Sequence, residues 1–100
     1  MALVNRDPRY DLIKSMYGKG KILSFNDIFE YVPKTVVATD LGKRVGDFNK
    51  MMDDIRKFTL EDLMLIAHFA DLPEKKMFKL IEKEYFNQKQ QRVPNLKKVS

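Results

Sequence analysis

Apolar residues in this chain recur three and four places apart, and no segment sustains an alternation of apolar with polar residues. The first period is that of an amphipathic helix, the second that of a half-buried strand. Phe48, Met51, Met52 and Ile55 show it most plainly, at i, i+3, i+4 and i+7. The chain therefore reads as all-α, a small bundle of five or six short helices with tight connections.

Glycine, proline and capping residues set the boundaries. Asp7-Pro8 is a helix start, an N-cap acceptor followed by proline in the first turn. Leu12, Ile13, Met16 and Tyr17 follow at helical spacing, and Gly18 and Gly20 end the run. Ser24 and Asp27 have the spacing of a capping box before a second helix with the stripe Phe25, Ile28, Phe29 and Val32. Pro33 ends it, because the residue before proline is pushed out of the helical region. A short third helix runs from about Lys34 to Leu41 and stops at Gly42, and a fourth runs from about Val45 to Ile55. Thr59 and Asp62 repeat the capping-box spacing before a fifth. Pro73 opens a sixth, with the stripe Met77, Phe78, Ile81 and Tyr85.

The fifth helix is apolar on more than one side. Leu60, Leu63, Ala67 and Ala70 share a face, with Met64 and Ile66 at its edges, while Leu65 and Phe69 fall opposite. Either the N-terminal helix or a partner chain must cover that second face. A homodimer through Leu65, Phe69 or the N-terminal helix is one expectation.

One hundred residues suit a single domain, here residues 1–88 followed by a basic tail at 89–100 that its polar composition predicts to be flexible. The net charge of +5 suggests nucleic acid, but Lys89, Arg92, Lys97 and Lys98 place +4 in that tail. The other 88 residues carry 15 basic and 14 acidic side chains, a net +1. No apolar run reaches the roughly 18 residues of a membrane span, and the N-terminus lacks the apolar stretch of a signal peptide. With no cysteine there is no disulfide framework or thiolate metal site, and a cytoplasmic setting is expected.

The stretch "ATDLGKRVGDFNKMM", residues 38–52, carries the functional reading. A small residue at Ala38 lets two helices approach near a turn, and Gly42 accepts a left-handed backbone that a Cβ would strain. Leu41, Phe48 and Met51 would wedge the two helices apart at a fixed angle. Ala38, Leu41, Gly42, Phe48 and Met51 resemble the helix-turn-helix of the Cro and lambda-repressor-like family. The resemblance continues through "FTLEDLMLIAHFADLPEKKMFKLI", where Thr59, Leu60, Leu63, Ile66, Ala67, Leu72 and Phe78 match the family's capping and apolar pattern. It covers about residues 24–81, with the helix-turn-helix at about 34–55. It implies a lambda-repressor-like DNA-binding domain, a regulator of transcription, whose dimers place their recognition helices roughly 34 Å apart. Two places depart from the pattern. Lys43 stands where an aliphatic residue is usual, and Arg44 where Ser or Thr often caps the recognition helix. Gly46 or Asp47 must then take over the cap.

Carried onto this chain, the resemblance implies base contacts from Arg44, Val45, Asn49 and Lys50, with Lys34, Thr35 and Lys43 near the DNA backbone. Arg44 would pair with guanine and Asn49 with adenine, while Lys43 and Lys50 would neutralise phosphates. Asp47, Asp53 and Asp54 oppose this. Residues 34–54 hold four basic and four acidic side chains, so the local charge is zero. Asp53 and Asp54 are also unfavourable for the dipole at a helix's last turn. The alternative is a protein-interaction module that keeps the fold without binding DNA.

Nothing points to an enzyme, a cofactor or a small-molecule substrate. His68 is the only histidine and is expected to be a hydrogen-bonded residue at the core boundary, not a metal ligand. "YGKGK" at 17–21 follows no strand and is not a phosphate-binding fingerprint. Glu82 and Glu84 are expected on a solvated face, paired with Lys79 and Lys83. Met52 is expected at a surface edge, where methionine adapts to varied partners.

Overall fold

The computed structural model describes residues 6–92, which are all-α. Five α-helices follow one another: α1 (Tyr10–Gly18), α2 (Lys34–Asp40), α3 (Val45–Asp53), α4 (Leu60–Ala70) and α5 (Glu74–Arg92). Two 3-10 segments, Phe25–Glu30 and Ile55–Lys57, lie between them. Among the described residues there is no strand, and no helix is long and apolar enough to cross a membrane.

Local chemistry sets the ends. Asp7 accepts the Arg9 amide at 2.8 Å and its guanidinium at 2.8 and 3.0 Å. Those bonds hold the Asp7 carboxyl down to about 2. The start of α1 keeps this support at neutral pH and loses it only as pH falls below the ordinary carboxylate range toward 2. Thr59 and Asp62 form the capping box of α4: Asp62 N donates to Thr59 Oγ1 at 3.0 Å and Thr59 N to Asp62 Oδ2 at 3.1 Å. Asp27 does the same service upstream, accepting from the Leu23 and Ser24 amides. The segment it caps is a 3-10 helix, not the α-helix that its stripe suggests. Pro33 keeps Val32 out of the helical region, and the segment closes at Glu30 as a short 3-10 turn.

Three helices end on the same device. Lys21 N donates to Met16 O, Lys43 N to Ala38 O and Leu72 N to Ala67 O, each at 2.9 Å, across a left-handed residue. Those residues are Gly20 (φ 75°), Gly42 (φ 73°) and Asp71 (φ 56°). In each case the preceding amide closes the shorter loop, so carbonyls left open at the helix end are satisfied. Asp71 is the one non-glycine residue of the three.

The core gathers around four phenylalanines that meet edge to face in a closed cycle. Ring centroids lie 5.4 Å apart for Phe25–Phe29, 5.8 Å for Phe29–Phe48, 5.6 Å for Phe48–Phe58 and 5.3 Å for Phe58–Phe25. Around them are buried Ile28, Val37, Met51, Ile55, Leu63, Ile66, Met77 and Leu80. Tyr10 is fully buried and joins three helices: its ring lies 5.5 Å from Phe69 of α4, and its hydroxyl donates to Asp40 Oδ2 of α2 at 2.7 Å. Burial and that hydrogen bond push its pKa up, so the phenol stays protonated and remains a donor. The N-terminal helix thus covers Phe69, one of the two expected outcomes for that face. Leu65 stays 38% exposed.

Several expected core positions face solvent. Leu12, Leu60 and Phe78 are exposed, whereas Met52, expected at a surface edge, is buried. α5 turns the face Met77, Leu80, Glu84 and Gln88 inward, about 70° from the predicted stripe on an ideal helix. The reason is polar. Glu84 Oε1 accepts from Asn26 N at 3.0 Å. Gln88 is buried, its Oε1 accepting from Ile55 N and its Nε2 donating to Met52 O, both at 2.8 Å. These two side chains, one turn apart, clamp α5 onto both 3-10 segments. Glu84 is therefore half-buried and held by a distant amide, not a free acid paired with Lys79 or Lys83. The clamp also carries helix through Arg92, past the expected start of the tail near residue 89, and residues 93–100 lie outside the described residues.

Three outcomes follow for stability. Gln88→Ala strands the Ile55 amide and the Met52 carbonyl and lowers unfolding free energy by about 2 kcal/mol in denaturant titration. Asp71→Gly relieves the left-handed backbone and adds about 0.5 kcal/mol or more, while Gly42→Ala costs about 1 kcal/mol. A Cβ at Gly42 would meet nothing within 4 Å, so that loss is conformational and not steric.

Candidate nucleic-acid interface

The residues between α2 and α3 build a corner from the chain's own rules. α2 begins after Pro33 and ends at Leu41, where the left-handed Gly42 reverses the chain. Lys43 and Arg44 lead into α3, with Arg44 extended at φ −71° and ψ 147°. Ala38 and Phe48 are fully buried on the inner side of this corner, as the close approach requires. Phe48 N donates to Arg44 O at 2.9 Å, which starts the helical ladder.

No side chain caps α3. Asp47, expected to replace the missing Ser or Thr, stays exposed without a hydrogen bond to another described residue. It still opposes the positive end of the helix dipole from the first turn. At the other end Asp54 is not a misplaced helix residue. It caps the 3-10 segment Ile55–Lys57, accepting from Arg56 N at 3.2 Å and pairing with the Arg56 guanidinium at 2.8 Å. α3 accordingly closes at Asp53, and Ile55, expected on its last turn, belongs to the next element.

The predicted contact residues divide into two groups. Arg44, Val45, Asn49 and Lys50 are exposed on the outer side of α3, and none forms a side-chain hydrogen bond or ion pair with another described residue. Thr35 is exposed on α2, and Lys34 is half-buried beside it. Lys43 is different. Its Nζ lies 3.6 Å from Asp62 Oδ1, and its side chain is 29% exposed. Asp62 is the buried capping-box acid of α4, so this pair ties the corner to the start of the next helix. The sequence contains Asp62 as a cap but does not reveal that the turn folds back upon it.

The electrostatic balance shifts once these partners are assigned. Among the four acids of 34–54, Asp40 accepts from Tyr10 and Asp54 is paired with Arg56. Arg44 and Lys50 remain without such partners and face Asp47 and Asp53 on the same exposed helix. The surface is mixed in sign, not basic.

His68 is exposed on α4, its ring 6.2 Å from that of Phe69. It does not make the hydrogen bond expected of it with any described residue. It lines a cavity of about 310 Å³ together with Arg6, Asp11 and Asp71. No group of three potential metal ligands occurs among the described residues. A second cleft, about 480 Å³, lies between the end of α1 and the α4–α5 corner, lined by Lys14, Tyr17, Leu72, Pro73 and Lys76 among others.

Comparison with family models, with curated proteins and with solved structures finds no match to this chain.

Proposed function

We propose that the chain is a small DNA-binding regulator of the lambda-repressor-like type, with α2, the Leu41–Arg44 turn and α3 acting as a helix-turn-helix. The observation that carries this reading is the outer face of α3. Arg44, Val45, Asn49 and Lys50 stand exposed, without side-chain partners among the described residues, on a helix held from inside by Phe48, Met51 and Met52. A rigid helix with a polar outer side is what insertion into a major groove requires. The uncapped start of α3 leaves its first amides open to a phosphate oxygen. Arg44 supplies a fork for guanine and Asn49 an amide for adenine. Lys50, with Thr35 and Lys34, supports the backbone. Lys43 acts in this reading as a positioning residue through Asp62, with less charge to offer a phosphate. Such a regulator works as a dimer on duplex DNA in the cytoplasm.

A second reading is a protein-interaction module of the same fold. Leu60 at 62%, Met64 at 43% and Leu65 at 38% exposure on α4 favour it, since exposed aliphatic groups on one helix suit a protein partner.

Selection from a random duplex pool separates the two. The DNA reading expects an enriched sequence to which Arg44→Ala and Asn49→Ala each lose about 1–3 kcal/mol of binding, with little loss on unrelated duplex. Equal binding of enriched and unrelated duplex by parent and variants alike would remove α3 from the reading role.

A further inference from the structure

A run of lysines with few acids beside it lies away from α3. From Leu12 to Asn26 the chain has Lys14, Lys19 and Lys21 and no acid. Two contacts lay this stretch along α5. Lys76 Nζ sits 5.1 Å from the centre of the Tyr17 ring, and Asn26 N donates to Glu84 at 3.0 Å. Lys19 and Lys21 lie in the chain between those anchors, and Ile22 beside them is buried. On α5, Lys76, Lys79 and Lys83 stand at i, i+3 and i+7, so all three share the side that Lys76 turns toward Tyr17.

The acids that would neutralise these lysines are engaged elsewhere or stand apart. Glu84, expected to pair on this face, is used by Asn26. Glu82, the other expected partner, forms no ion pair with Lys79 or Lys83, and Glu74 pairs with no described lysine. Asp71 is taken by Lys14 at 3.2 Å. Lys19, Lys21, Lys76, Lys79 and Lys83 are all exposed. From Lys76 to Lys83 the helix advances about 10 Å, the axial length of about three phosphates of one strand. The 480 Å³ cleft opens at one end of this strip, with Lys14 and Lys76 on its walls.

From this we infer that the strip formed by Lys19, Lys21, Lys76, Lys79 and Lys83 binds the phosphate backbone of a nucleic acid without regard to sequence. Ammonium groups are point charges that neutralise phosphates and carry no forked geometry for reading a base. The strip is separate from the α3 face and supplies the positive charge that face lacks. The inference goes beyond the α3 reading and does not require it.

The test uses the full chain and a labelled duplex of random sequence, titrated at several salt concentrations. Lys19→Ala, Lys21→Ala, Lys79→Ala and Lys83→Ala are combined in one variant, compared with an Arg44→Ala, Lys50→Ala variant. All four strip positions are exposed, and circular dichroism checks that the helices persist. The strip predicts that log affinity against log salt loses about 0.9 in slope per lysine removed, with at least a tenfold loss of affinity at about 0.1 M salt. A strip variant that binds with the parent's affinity and slope overturns the inference. So does a parent that binds vesicles containing anionic lipid but not the duplex. If the strip variant weakens while the Arg44, Lys50 variant does not, the strip stands and the α3 reading fails. If the Arg44, Lys50 variant alone weakens, the reverse holds.

Discussion

Four phenylalanine rings hold this molecule at its centre, and each comes from a place where the chain would otherwise be loose. Phe25 and Phe29 belong to a six-residue 3-10 turn, Phe58 to the connection before α4, and Phe48 to the nine-residue α3. None of these segments is long enough to be stable as an isolated helix in water. Edge-to-face contacts add about 0.5–1.5 kcal/mol per pair to the burial of the rings. The closed cycle makes each ring's position depend on two others. Phe48 thereby fixes α3 from within, and its solvent side is left free.

Polar contacts complete what the rings begin. Gln88 satisfies the Met52 carbonyl at the end of α3 and the Ile55 amide beyond it. Those groups lie at a helix end, where the backbone has no partner of its own. Lys43 ties the start of α3 to Asp62 in the same way, although its partial exposure makes that pair weaker. α3 is therefore held at both ends and from below. Left-handed residues after α1, α2 and α4 turn the chain sharply without leaving open carbonyls, so the helices can pack at close quarters.

Charge is distributed over this frame unevenly. The α2–α3 corner has equal numbers of acids and bases, and its acids are partly absorbed by Tyr10 and Arg56. The loop after α1 and the lysine side of α5 meet to form a surface with little compensating acid. These two surfaces suit different work. Mixed polar groups on a rigid helix favour recognition, and exposed lysines with few acids beside them favour attraction of any polyanion.

Much of the local structure could be read directly from the chain. The helical period, the Thr59–Asp62 box, the start at Asp7-Pro8 and the turn at Gly42 depend only on neighbours within a few residues, so the sequence by itself determined them. It also determined that Phe48, Met51 and Met52 share a side of α3, because that follows from spacing alone. Only the tertiary structure decided which way α5 faces, since Glu84 and Gln88 are drawn inward by amides and a carbonyl far away in the chain. It likewise decided that Leu60 and Phe78 stay in solvent, that Tyr10 covers Phe69, that Lys43 folds back onto Asp62, and that two separate runs of lysine become one strip. Each of these depends on contacts between distant segments, and a periodicity carries no information about what another segment will place opposite it.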